Sequence, residues 1–241
     1  MKKVKLIVAV FLAAVLCIGF AGCADSEDKA IENAVSEIRT DSYRGKGEIF
    51  SVTLSTGKRE QPYAADGVSN DLVEFAVLTV TPKNSMGGEF SYSFSVNGKD
   101  YSGVFSETPY GISYAVDLKE TLPSVREITV NINADTASEQ IVLTNVLTEN
   151  SISAEDALEK AKTEFADVLD GLISNGKLNA EIYIKLLNDR SNHDSKYYWY
   201  VAIVNKEAYY AVVINPETGE IVAKKDKPAA QPRTAENAAL I

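Results

Sequence analysis

The segment Tyr209-Tyr-Ala-Val-Val-Ile-Asn-Pro-Glu-Thr-Gly-Glu-Ile-Val222 predicts a β-hairpin. Aliphatic residues stand on both sides of Asn215-Pro-Glu-Thr-Gly219, as in two strands joined by a turn. The proline presets φ early in that turn, and a glycine can adopt the left-handed conformation at its end. We therefore predict that Gly219 has a positive φ and that these residues build a turn rather than bind a ligand.

The residues upstream of this hairpin predict a helix and further strands. Ser153 can cap a helix, with Asp156 three residues later as in a capping box. Apolar residues then recur at helical spacing until Asn175-Gly176, which predicts the end of the helix. Strands are predicted at 179–187, 197–205, 208–215 and 219–224. Residues 151–226 are thus predicted to be an α+β unit of one helix followed by four strands, which we expect to fold alone, marginally. A flexible tail is predicted at 227–241.

Residues 151–225 resemble a PepSY domain. The resemblance rests on Ile152-Ser-Ala-Glu-Asp-Ala-Leu158, on Tyr198-Trp-Tyr-Val-Ala-Ile-Val204 and on the hairpin, whose Asn-x-x-Thr-Gly-Glu turn follows the pattern of that family. It implies a helix packed on a small antiparallel sheet. It also implies an inhibitory or binding module, as in the propeptides of secreted metalloproteases, rather than a catalyst.

The preceding residues, 46–148, predict an antiparallel β-sandwich. Phe90-Ser-Tyr-Ser-Phe-Ser-Val96 alternates strictly between apolar and polar residues, and Asn97-Gly98 then predicts a hairpin turn. Seven such segments at regular spacing are typical of a sandwich. They lie at 48–54, 72–80, 90–96, 101–105, 112–118, 128–132 and 141–147. No cysteine pair supports kinship with immunoglobulins.

Between the N-terminus and this unit we predict a tether and a short helix at residues 23–45. The apolar residues of this segment recur at helical spacing, which predicts an amphipathic helix over about 27–40. They are Ala30, Ile31, Ala34, Val35 and Ile38.

The N-terminus predicts export and anchoring. Met1-Lys-Lys-Val-Lys5 precedes an apolar run that ends in Ala21-Gly-Cys23, the pattern of a secretory signal peptide over residues 1–22. The small residues before Cys23 resemble the lipobox of bacterial lipoproteins, although Phe20 replaces the usual leucine. The resemblance implies that Cys23 is lipidated and that the protein is extracytoplasmic and lipid-anchored to the cell membrane. An uncleaved membrane anchor is the alternative, since the run is roughly long enough to span a bilayer.

Composition excludes several classes of function. The chain has 34 acidic and 24 basic residues and a net charge of −10, which loss of Lys2, Lys3 and Lys5 with the signal would take to −13. Nucleic acid is not an expected partner, because its binding needs a basic surface. Both cysteines, Cys17 and Cys23, lie in the export segment. We therefore expect neither a disulfide nor a cysteine nucleophile in the mature chain. The single histidine, His193, lies in a polar loop, and we expect no metal and no cofactor.

Five aromatic residues are the candidate binding residues: Tyr198, Trp199, Tyr200, Tyr209 and Tyr210. On strands they point alternately to two faces of the sheet. One face must cover the helix, and the other would be open to a peptide or polysaccharide. Core and cross-strand packing is the alternative interpretation of the same residues.

The sequence therefore leaves three hypotheses. The first is a non-catalytic envelope lipoprotein that binds or restrains a protein or peptide partner, such as a secreted peptidase, through residues 151–226. The second is a structural or sensory subunit whose β-sandwich recognises a ligand or a cell-wall component. The third is an enzyme, which no catalytic motif supports.

Overall fold

The computed structural model describes residues 21–62, 69–109, 111–188, 196–206 and 208–228, and only the backbone of residues 21–25, 227 and 228. The signal segment 1–20, His193 and the tail from 229 onward lie outside the described residues. No helix in the described ranges is long and apolar enough to cross a bilayer.

Three helices and fifteen strands make up the described part of the chain. The helices are α1 (Ala21–Glu32), α2 (Ala154–Glu164) and α3 (Ala166–Leu172). The first nine strands are β1 (Val35–Lys46), β2 (Phe50–Glu60), β3 (Leu72–Pro82), β4 (Ser91–Val96), β5 (Lys99–Val104), β6 (Ser106–Glu107), β7 (Tyr114–Asp117), β8 (Glu127–Ala134) and β9 (Ala137–Asn145). The others are β10 (Ile173–Ser174), β11 (Lys177–Leu178), β12 (Glu181–Asn188), β13 (Tyr197–Val204), β14 (Ala208–Ile214) and β15 (Ile221–Pro228).

Thirteen of these strands form one sheet. The main path runs β15-β14-β13-β12-β1-β2-β3-β7-β6, and a branch leaves β1 through β9, β8, β4 and β5. The seven segments predicted as strands between residues 46 and 148 are all strands. They do not form two separate sheets, however, because β1 pairs with β2 on one edge and with β9 on the other. The N-terminal half is instead a continuous sheet that curls into a nearly closed barrel.

The interior of this barrel is a large apolar core. Fully buried residues from facing strands fill it, including Tyr43, Phe50, Leu54, Leu78 and Val130. The rings of Phe50 and Phe90 meet edge to face at 6.0 Å. Alternation along each strand directs these side chains inward, which is why the period-two pattern located the strands correctly.

Strand β1 occupies residues that the sequence assigned to a helix and tether. The helix α1 ends at Glu32, and the chain is extended from Val35 onward. β1 pairs in parallel with β12, with Val35 opposite Ile182 and Ile38 opposite Ile184. Its other edge pairs with β2 over almost its full length. The prediction of a helix over 27–40 is therefore wrong beyond its first turns, and β1 joins the two halves of the molecule through backbone hydrogen bonds.

The C-terminal half packs its helices on one face of β12–β15. The predicted cap is present, since Ser153 Oγ accepts from the Asp156 amide at 3.0 Å and the Asp156 carboxylate accepts from the Ser153 amide at 3.0 Å. The core between helices and sheet contains Leu158, Phe165 and Ile182. Ile31, Ala34 and Val35 of the N-terminal segment belong to the same core. The C-terminal core is therefore completed by residues that lie more than a hundred positions earlier in the sequence.

Candidate functional site

The sheet β12–β15 has a face covered by helices and an open face. Trp199 and Tyr210 point to the helices. Trp199 is fully buried and its indole N–H donates to the carbonyl of Ile152 at 3.0 Å, while the Tyr210 ring meets Phe165 edge to face at 5.8 Å. Of the five predicted binding residues, Trp199 is thus a core residue and Tyr210 packs on that core. Strand alternation explains the split, because neighbours on one strand point to opposite faces.

The open face carries the other three predicted residues, Tyr198, Tyr200 and Tyr209, each half-buried. Tyr200 and Tyr209 pack with Tyr183 around two alanines, Ala202 and Ala211. These alanines face one another across β13 and β14, and Ala202 faces Tyr183 across β12 and β13. We call the four tyrosines at 183, 198, 200 and 209, with the two alanines, the tyrosine face. Tyr183 and both alanines are buried, so the accessible rings of this face are the half-buried Tyr198, Tyr200 and Tyr209, and none of the described helices lies over them.

Lysines border the tyrosine face. The ammonium group of Lys185 lies 4.8 Å from the centre of the Tyr183 ring, and that of Lys225 lies 4.6 Å from the centre of the Tyr209 ring. Such cation–π contacts hold a lysine against an aromatic surface. Burial raises the pKa of the Tyr209 hydroxyl, which keeps that ring neutral at physiological pH.

The edge of this face at β1 contains a buried ion pair. The carboxylate of Glu37, only 3% exposed, contacts Lys185 Nζ at 2.6 Å and Arg39 Nε at 2.7 Å. Burial alone would raise the pKa of Glu37, but the two cations outweigh it and lower the pKa below its usual value. Glu37 is therefore ionised at neutral pH and positions the side chains of both cations.

Sequence reasoning missed Tyr183, Lys185 and Glu37 as members of this surface. Tyr183 and Lys185 alternate with apolar residues in Glu181-Ile-Tyr-Ile-Lys-Leu-Leu187. This alternation alone predicts that the two side chains lie on the same face of a strand. Their position beside Tyr200 and Ala202 depends on the pairing register of β12 and β13, which alternation does not supply. Glu37 joins them only through the long-range pairing of β1 with β12.

The family-like turn at 215–219 is built by its own hydrogen bonds. Asn215 Oδ1 accepts from the amide of Glu217 at 2.9 Å, and the amide of Gly219 donates to the carbonyl of Asn215 at 2.8 Å. Gly219 has φ +67°, which confirms the prediction of a positive φ. A Cβ on Gly219 would lie 2.7 Å from the Cε of Lys160. The turn therefore favours glycine on conformational grounds, whereas the flexible end of the Lys160 side chain can move away from a Cβ.

The same turn also fastens the connection between the two halves. The carboxylate of Glu217 accepts from Thr148 Oγ1 at 2.9 Å and from Ser151 Oγ at 2.8 Å. The amide of Ile152 donates to the carbonyl of Pro216 at 2.8 Å. A cavity of about 390 Å³ beside the turn is lined by Val146, Tyr197, Tyr198 and the turn itself. The turn is thus a structural anchor for the linker at 147–152.

No metal centre is present among the residues that the structure describes, because none of their His, Cys, Asp and Glu side chains form a group of three or more suited to one. Asp66, Asp189 and Asp194 lie outside the described ranges. The backbone of Cys23 lies in α1.

Comparison with known proteins agrees with this architecture. Residues 151–225 match the family model described as PepSY, the peptidase propeptide and YPEB domain. No curated protein and no solved structure matches the chain significantly. The family is consistent with a non-catalytic, peptidase-related regulatory or binding role. Residues 151–225, with the helices α2 and α3 packed on β12–β15, are therefore a PepSY domain.

Proposed function

We propose that this protein is a non-catalytic envelope lipoprotein that binds or restrains a protein or peptide partner through its PepSY domain. The observation that carries the proposal is the tyrosine face. The helices cover one side of the PepSY sheet and leave the other side open, with aromatic rings half-buried on it. Partly exposed tyrosines are enriched at protein interfaces, where they offer apolar area and a polar hydroxyl together. A secreted peptidase is the partner class that the family suggests.

In the proposed lipoprotein, acylated Cys23 would hold the protein close to the membrane. Cys23 and Ala30 lie on the same helix, about 10 Å apart at 1.5 Å per residue. Ala30 is only 3% exposed, and Asp28 pairs with Lys162 of α2 at 2.6 Å. The folded body would thus begin within two helical turns of the lipid, with no long tether between them.

The anchor is tested by metabolic labelling with a palmitate analogue. Cys23→Ser is expected to lose the label, and the matched control Cys17→Ser is expected to keep it, because only Cys23 follows the small residues of the lipobox. Labelling of Cys23→Ser at the wild-type level, or no labelling of the wild type, would contradict the lipoprotein and favour an uncleaved anchor.

Partner binding is tested by capture from detergent-solubilised membranes with the complete mature chain. The variants Tyr200→Ser and Tyr209→Ser remove rings from the tyrosine face. Ile112→Ser, at a side chain that is 71% exposed in the N-terminal half, is the control. A partner that the wild type and the control retain and both tyrosine variants lose would support the proposal. Equal capture by all four proteins would place binding elsewhere.

A further inference from the structure

The charges of the tyrosine face that reach solvent are positive. Lys225 is exposed, and the side chains of Arg39 and Lys185 are 33% and 21% exposed. The acidic residues on the same face are inaccessible, with Glu37 3% and Glu181 0% exposed. Arg39 and Lys185 share the buried carboxylate of Glu37, so the accessible positive charge of this face of the described sheet is carried mainly by Lys225, in a chain whose net charge is −10. An acidic ligand would be repelled by most of the surface and attracted here.

Lys225 lies on the outermost strand of the sheet, whereas Lys185 and Arg39 lie three and four strands away, on β12 and β1. β15 is the last strand on its side of the sheet, and no described strand pairs with its outer edge. Residues 222–226 are all exposed. Lys224 and Lys225 follow one another and so point to opposite faces of the sheet, Lys224 over the Phe165 ring at 5.0 Å and Lys225 over the Tyr209 ring. Lys224 pairs with Glu164 at 2.8 Å on the helix side, so the positive charge available at this edge is that of Lys225 on the open side.

We infer that β15 is the docking edge for an extended, acidic segment of the partner protein, which adds to the sheet as a further strand. This inference rests on the proposed function and names the chemistry of its partner. Backbone hydrogen bonds to β15 would supply affinity, as in other cases of strand addition. Alternate side chains of the segment would lie over Tyr209, where a carboxylate meets Lys225.

Two other interpretations of the same residues give different outcomes. Lysines on an edge strand can serve to prevent aggregation, in which case no peptide binds. Tyrosines and lysines on a flat face can also bind an anionic membrane surface, where each basic residue contributes through the surface potential. The strand hypothesis differs from both because it requires the β15 backbone to become protected when the ligand binds.

The experiment measures binding of a fluorescent eight-residue peptide that alternates threonine and glutamate to the complete mature protein. Peptides with glutamine or lysine in place of glutamate are the controls, together with vesicles containing anionic lipid. The glutamate peptide is expected to bind, more weakly as salt increases, and to slow amide exchange at residues 221–226. Lys225→Glu is expected to weaken binding about tenfold. Lys177→Glu, an exposed lysine of β11 away from this face, is expected to change it less than about twofold.

Three results would overturn the inference: equal binding of the glutamine peptide, unchanged exchange in β15, or binding of vesicles but not of the peptide. Lys225→Glu also separates this inference from the function proposed above. If that variant still captures the membrane partner while the peptide fails to bind, the partner hypothesis survives and the docking edge does not.

Discussion

Replacing Ile31 with alanine tests whether the N-terminal segment is part of the PepSY core. Ile31 is 5% exposed and packs in the same cluster as Leu158, Ala161 and Ile182. Removal of a buried isoleucine side chain down to alanine typically costs about 2–5 kcal/mol, through lost burial and the cavity that remains. Because Ile31 lies near the end of α1, we expect a loss of about 2–3 kcal/mol in the free energy of unfolding.

The assay is denaturant unfolding combined with amide exchange along β12 and β13. Ile112→Ala is the matched control, since that isoleucine is 71% exposed and its truncation should change stability by less than about 0.5 kcal/mol. Exchange in β12 should accelerate in Ile31→Ala and not in the control. If the two variants are equally stable, the segment before β1 contributes nothing to the core and our description of it is wrong.

The same packing argument predicts the behaviour of the isolated PepSY segment. Residues 151–228 expressed alone lose Ile31, Ala34 and Val35 from the core and leave β12 without its partner β1. Full burial of one isoleucine or valine is worth about 1.5–3 kcal/mol, and a whole domain is stable by only about 5–15 kcal/mol. We now expect this fragment to show little amide protection, whereas the sequence alone suggested marginal independent folding. A fragment as protected as the complete chain would contradict the structural argument.

Three further predictions concern single side chains. Gly219→Ala and Gly176→Ala should each lower the melting temperature because both glycines have positive φ, and Gly219→Ala by only slightly more, because the end of the Lys160 side chain must also move away from the new Cβ. Glu217→Ala should lose the hydrogen bonds to the linker and destabilise the protein by about 1 kcal/mol, measured by denaturant unfolding. Burial would raise the pKa of Glu139, but three backbone N–H donors outweigh it and lower the pKa. The stability that wild type gains over Glu139→Gln should therefore be fully present above the ordinary glutamate pKa of about 4.3 and be lost as the pH falls from there through the lowered pKa of the folded state. A difference that persists unchanged in thermal melts at low pH would contradict that assignment.

Features that depend on neighbouring residues were predictable from the sequence. The capping box at Ser153, the hairpin turn at Asn97-Gly98 and the positive φ of Gly219 all follow from local conformational preferences. The strands followed from alternation because each has one face in a core. The predicted sandwich, in contrast, depended on which strands pair. Nothing local in residues 46–148 indicates that β9 pairs with a strand from the preceding segment.

The mistaken helix over 27–40 has a specific physical cause in β1. The pairing of β1 with β12 shifts register between Val35 and Glu37, so Ser36 is an extra residue in the strand. Val35 and Ile38 therefore face the same core although they are three positions apart. In the sequence, this spacing resembles that of the apolar residues of an amphipathic helix. Pairing on both edges also buries Ser36 and Glu37, so the strand lacks the alternating polarity that would have revealed it. That bulged strand places Glu37 at the border of the tyrosine face. The strand that was not predicted from the sequence, β1, therefore supplies a residue that completes the candidate site.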